Sequence, residues 1–187
     1  MDEYQWESPL IDLKGQSILK QIKRPNPPTE KEIDALMTML MTEKAPIETI
    51  TIGHGRDNVS KEIASTFADL WEIRGGIGGT GGCVLDIVDW PEEAASWLRP
   101  AKRFANGSSD AWIVTGSLLG WIQMSRRLHK ETNWKPEKTF GFSSLADFRM
   151  VKYGWETTFE GMKGVLANGG SWKITRGELI TYPALFN

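Results

Sequence analysis

Cysteine and histidine are scarce in this chain: 187 residues hold one cysteine, Cys83, and two histidines, His54 and His129. A lone thiol excludes an internal disulfide framework and favours a reducing compartment. Two histidines exclude a histidine-built metal cage, and no cysteine or carboxylate stands at ligand spacing beside either. No metal and no cofactor are expected. Apolar runs long enough to cross a bilayer are absent. The opening residues, Met1-Asp-Glu-Tyr-Gln-Trp6, are acidic and polar, without the basic and apolar regions of a signal peptide. The expected location is cytoplasmic, with no membrane contact. Motifs of phosphate chemistry are missing as well: no Gly-Lys-Ser/Thr of a P-loop, no His-Arg-Asp and no Asp-Phe-Gly of a kinase. Ser117 lacks the second glycine of a nucleophile elbow and reads as a helix cap. No catalytic set assembles, and the chain leans away from being an enzyme.

Glycine, by contrast, is concentrated. Six of the eight residues from Gly75 to Gly82 are glycine. Gly76, Gly78 and Gly81 fit Gly-x-Gly-x-x-Gly, which signals a dinucleotide only where a helix opens directly afterwards. Here Cys83-Val-Leu-Asp-Ile-Val88 follows, an apolar, β-rich run. The stretch therefore reads as a long hairpin connection between strands 67–74 and 83–88, mobile because ordering glycine costs backbone entropy. Cys83, within the apolar strand, reads as a buried, inert thiol.

The composition, 40% apolar and 25% charged, fits one globular domain with a core of its own. The net charge of −2 conceals a split. Residues 29–100 carry 13 acids and 6 bases, whereas 101–187 carry 7 acids and 12 bases. Nine tryptophans supply either core filling or interface anchors.

Residues 1–28 read as an N-terminal extension, with Ile18, Leu19 and Ile22 at helical spacing and Arg24-Pro-Asn-Pro-Pro28 ending regular structure. The remainder, 29–187, reads as a single α+β domain: a mostly antiparallel or mixed sheet packed with three to four helices. Thr29-Glu-Lys-Glu32 is a capping box opening a helix over 30–43. A strand at 47–52 runs into the turn Gly53-His-Gly-Arg-Asp57, and Asp57 or Asn58 caps a helix over 58–65. Its continuation, Phe67 to Trp71, suits helix and strand alike, and the glycine stretch favours strand. Pro91 opens a helix to about 105 that Pro100 should kink, with Glu92 and Glu93 at its positive end. Strand 110–115, the helix capped by Ser117, strand 139–142, a turn from Ser144 to Phe148, strand 152–159, a hairpin at Asn168-Gly-Gly170 and an edge strand at 179–182 complete the order.

Candidate site residues fall into two sets. Asp86, Asp89, Glu92 and Glu93 form an acidic cluster that, with Trp121 and Trp134, suits a protein interface. His54, Arg56, Gly76, Gly78 and Gly81 suit a nucleotide site, although a turn histidine bonded to the backbone accounts for His54 without chemistry. Nucleic acid is not an expected partner: Arg126, Arg127, Lys130, Lys135 and Lys138 flank Trp134, but the chain is mildly acidic and carries no recognition motif.

Between Gly55 and Trp155 the chain resembles the immunity proteins of bacterial polymorphic-toxin systems. The similar segments are Phe67-Ala-Asp-Leu-Trp71 before a glycine-rich turn, Cys83-Val-Leu-Asp-Ile-Val88 with a proline after it, Ser109-Asp-Ala-Trp-Ile-Val-Thr115, and Tyr153-Gly-Trp-Glu-Thr157. The resemblance implies a cytoplasmic α+β protein whose partner is a cognate toxin, which it neutralises by binding. Ile50-Thr-Ile-Gly-His-Gly-Arg-Asp57 resembles the strand–turn–helix of TIR-like nucleotide-binding domains, which implies an α/β enzyme as the alternative.

Overall fold

The computed structural model describes residues 10–22, 25–155 and 157–184. They build a seven-stranded mixed sheet with helices on both faces. In chain order the elements are α1 (Leu13–Lys20), α2 (Glu30–Met41), β1 (Thr49–Gly55), α3 (Asn58–Arg74), β2 (Cys83–Trp90), α4 (Leu98–Ala105) and β3 (Ala111–Thr115). Then follow α5 (Leu118–Glu131), β4 (Thr139–Gly141), α6 (Phe148–Tyr153), β5 (Lys163–Val165), β6 (Ser171–Thr175) and β7 (Glu178–Tyr182). The strand order is β2-β1-β3-β4-β5-β6-β7. The first five strands in that order are parallel, and β6 and β7 are added by antiparallel pairing. The expected mixed sheet is present. It is mostly parallel, and six helices rather than three to four cover it among the described residues.

Parallel strands need crossovers, and helices supply them here. α2 and α3 pack on one face, burying Leu36, Leu40, Ile63 and Phe67 against Ile50, Ile52, Ile113 and Phe140. The other face carries α1, α4, α5 and α6, with Leu19, Phe104, Trp121 and Met150 against Val88, Trp90, Trp112 and Trp172. Within residues 1–28, the segment around α1 joins this core through Ile11 and Leu19, and the Ile11 amide donates to Gln123 Oε1 at 3.1 Å. Residues 1–9 and 23–24 lie outside the described residues.

The largest departure from expectation is 67–74. Helix α3 runs unbroken from Asn58 to Arg74, and the chain returns as a parallel strand, not as a hairpin. Its buried stripe of Ser60, Ile63, Ala64, Phe67, Ala68 and Trp71 keeps one helical period throughout. Burial of that stripe outweighs the local β preference of its second half. The glycine stretch therefore connects a helix end to a strand start, and it is tightly hydrogen-bonded. The Gly82 amide donates to the Trp71 carbonyl at 2.9 Å and the Gly81 amide to the Gly75 carbonyl at 3.0 Å. Gly75 and Gly82 lie against the Trp71 indole so closely that an added Cβ would stand 2.4 and 2.2 Å from ring atoms. Gly76, Gly78, Gly79 and Gly81 adopt positive φ, which only glycine reaches cheaply.

Other boundaries shift for local reasons. Residues 91–97 form a loop, pinned where Trp97 Nε1 donates to the Pro91 carbonyl at 2.7 Å. Pro100 thereby falls in the first turn of α4, where its missing N–H costs nothing and no kink is needed. The expected strand 152–159 is absent: α6 occupies its start, capped by Asp147, and turns follow, with Glu156 outside the described residues. Cys83 is exposed, because β2 is an edge strand.

Candidate functional site at the carboxyl ends of the strands

From β1 the chain moves outward to β2 on one side and then back across to β3 on the other. The order thus reverses between β1 and β3. In open α/β sheets, a crevice opens outside the carboxyl ends of the strands at such a point. Two similar sequences meet there. Gly55-Arg-Asp57 leads from β1 into α3, and Gly116-Ser117 leads from β3 into α5. The loops touch: a Cβ on Gly116 would lie 3.1 Å from the Gly55 nitrogen, and one on Gly55 would lie 3.0 Å from Asp57 Oδ2.

Both helices start with a filled cap. Asp57 Oδ1 accepts from the Ser60 amide at 2.9 Å, and Ser117 Oγ accepts from the Gly120 amide at 3.2 Å. Arg56 forms an ion pair with Asp89 at the end of β2. That hydrogen bond from Arg56, opposed by partial burial, holds the Asp89 carboxyl below its usual range. His54 Nδ1 lies 2.6 Å from the Gly55 carbonyl. The cationic and helix-end groups of the crevice are therefore engaged by the protein itself.

Several buried polar atoms around these loops are not. Buried side-chain atoms without a hydrogen-bond partner, among the described residues, include Asp57 Oδ2, Ser60 Oγ, Trp90 Nε1, Thr115 Oγ1 and Ser144 Oγ. All five belong to the carboxyl ends of β1 to β4 or to the segments that follow them. Ser60 and Thr115 are wholly buried. Thr115 faces His54 in the β1–β3 register, on the side covered by α3. An unpaired buried hydroxyl costs on the order of 1–3 kcal/mol. Such groups persist where a ligand or ordered water completes them.

The expected site residues separate cleanly. His54, Arg56 and Asp89 come together at this crevice. Gly76, Gly78 and Gly81 lie at the opposite, amino end of the strands, before β2. No helix opens after them, and the amide of Ile77 is taken by Glu48 Oε2 at 2.8 Å. The Glu48 carboxylate thus takes an amide that a phosphate would need. Trp121 and Trp134 are core residues, 0% and 5% exposed, their rings 5.8 Å apart between centroids. They offer no surface to a partner. Asp86 closes the sheet edge: it pairs with Arg103, and these two side chains bind the amide and carbonyl of Ile87. Glu93 pairs with Lys20, and Glu92 lines a polar recess beside it with Gln16 and Gln123. In the sequence Asp57 and Ser117 read only as caps, and Ser60, Thr115 and Ser144 carry no mark of a site. The legible signal was the repeated strand–glycine–cap–helix pattern at Gly55 and Gly116.

No group of three or more histidine, cysteine or acidic side chains placed to hold a metal occurs among the described residues. No helix there is long and apolar enough to cross a membrane. No family model matches the chain, and no curated protein matches it. Solved structures do. An extracellular ligand-binding receptor from Verminephrobacter eiseniae superposes with a TM-score of 0.62 at 14% identity, over 84% of this chain and 44% of its own. A substrate-binding periplasmic protein from Ralstonia solanacearum gives 0.58 at 15% identity, over 74% and 37%. A protein assigned to branched-chain amino acid ABC transport in Rhodospirillum rubrum gives 0.57 at 12% identity, over 73% and 37%. The chain thus spans about two-fifths of the length of these structures. At such identities the likeness is one of fold. It corrects the expectations drawn from resemblance: the fold neighbours are periplasmic and extracellular binding proteins, not immunity proteins or TIR-like enzymes. The cognate-toxin partner and the cytoplasmic location lose their basis with it.

Proposed function

We propose that this chain is a ligand-binding lobe, of the periplasmic binding-protein type, that holds a small polar molecule at the switch point between β1 and β3. The observation that carries the reading is that Asp57, Ser60, Trp90, Thr115 and Ser144, all at or just after the carboxyl ends of β1 to β4, each hold a buried polar atom without a partner. Proteins of this type close two domains around a ligand. The coverage of the fold neighbours, 37–44% of their length, fits one such domain. An extracytoplasmic location and a transport or sensing partner follow from the same reading.

The donor and acceptor inventory defines the ligand's chemistry. Three hydroxyls donate and accept, one carboxylate oxygen accepts, and one indole N–H donates. Arg56 is committed to Asp89, and both helix starts are capped from within. With Arg56 and both helix starts so engaged, a neutral molecule rich in hydroxyls meets this set better than an anion.

A thermal-shift screen of the purified chain against hexoses, pentoses, polyols and α-amino acids tests the reading. A ligand at 100 times its Kd stabilises by about 2.7 kcal/mol, or about 5–10 °C for a chain of this size. A shift of that size, lost in Thr115→Val, is expected. Absence of any shift across the screen would refute the proposal.

A further inference from the structure

A cavity lies between α2 and α3, beside the segment that follows β4. Its volume is about 210 Å³. Phe67 and Phe142 form its floor, with ring centroids 5.7 Å apart in an edge-to-face arrangement. Ile33 and Ile63 flank them, and Pro27 and Pro28 make the outer wall. On the rim stand Val59, Glu62 and Thr66 of α3. Glu62 and Thr66 are one helical turn apart, on one face and both exposed. Among the described residues no cation pairs with Glu62, whereas nearby Asp34 and Arg74 neutralise each other. None of the switch-point residues lines this cleft.

We propose that this cleft is a separate binding site for a small aryl- or alkyl-ammonium molecule. The apolar part packs on Phe67 and Phe142, and the ammonium reaches the Glu62 carboxylate at the rim. The volume decides the size: it lies below the roughly 300–1,000 Å³ of pockets for drug-sized ligands, so one ring with a short arm fills it. Charge decides the sign, because the single charged group on the lining is an unpaired carboxylate. Aromatic edges and faces carry the apolar contact.

The test is amide chemical-shift mapping of the full chain with 2-phenylethylammonium and, as its charge-reversed counterpart, 3-phenylpropionate. Saturable shifts confined to Glu62–Phe67, Ile33 and Phe142, with Gly55, Thr115 and Gly116 unmoved, are expected with the ammonium. Glu62→Lys, at an exposed position, should weaken the ammonium by about fivefold, as for loss of a surface ion pair worth about 1 kcal/mol, and strengthen the carboxylate. Thr66→Trp fills the cleft and should remove both responses. Equal binding of the two probes, shifts mapped elsewhere, or no saturable shift in a folded protein would each overturn the proposal. The switch-point reading stands or falls on its own ligands and is untouched by any of these outcomes.

Discussion

Replacing Thr115 by valine separates stability from function in a single step. The Thr115 side chain is fully buried, and its hydroxyl has no partner. Valine keeps the branched shape and the strand preference while removing the unpaired oxygen. A buried polar group without a partner costs on the order of 1–3 kcal/mol. The ligand-free variant should therefore be more stable by about that amount, which raises Tm by about 2–12 °C for a chain of this length. Binding should weaken at the same time, because the hydroxyl is one of the groups a ligand completes. Urea unfolding at unchanged m value, with and without ligand, measures both effects. A destabilised ligand-free variant would show that the hydroxyl is already satisfied. The unpartnered atoms at the strand ends would then lose their meaning as a binding site.

Other outcomes follow from the same structure. Gly82→Ala should destabilise by about 1–3 kcal/mol, the usual cost of overpacking, because the new Cβ would stand 2.2 Å from Trp71 Nε1; chemical denaturation measures it. Shortening Gly75–Gly82 to Asn-Gly should prevent folding, since the loop must carry the chain from the end of α3 to the start of a parallel β2; circular dichroism of the deletion reads this directly. Trp121→Ala should cost about 3–5 kcal/mol, because that ring contacts Trp90, Phe104, Trp134 and Phe159 in the core. Asp147 has its pKa lowered, first by the hydrogen bond from Arg149 and against partial desolvation. Its contribution is therefore fully present above the unfolded value of about 3.9 and is lost as pH falls through the lower folded value. Asp147→Asn should thus flatten the rise of stability with pH on the acid side, which a urea series between pH 2 and pH 5 resolves.

Much of the fold was legible where local chemistry and tertiary packing agree. Thr29, Asp57, Ser117 and Asp147 each cap a helix, and the first three stand out in the sequence as hydroxyl or carboxylate groups ahead of an apolar period. The hairpin before Ser171 and the edge strand near Tyr182 follow from turn glycines and alternation. The segment 67–74 was not legible, because Phe67, Leu70 and Trp71 suit both periods. What settles it is long-range: Trp71 needs the strand and loop packed around it. The same holds for Trp121 and Trp134, whose burial depends on α4, α5 and the turns after α6 coming together. As for the site, Arg56 and Asp89 are 33 residues apart in sequence, and only the parallel β1–β2 register joins them. Ser60 and Thr115 carry no sequence mark of being unpartnered, since a hydroxyl's partners are set by the fold.

Amide chemical-shift mapping of the ligand found in the thermal screen tests the central claim most directly. The account predicts perturbations centred on Gly55–Ser60 and Thr115–Gly120, with Ser144 included, and none at Gly75–Gly82. Perturbations centred on the glycine loop instead, or a tight ligand that leaves Gly55 and Gly116 unmoved, would contradict it.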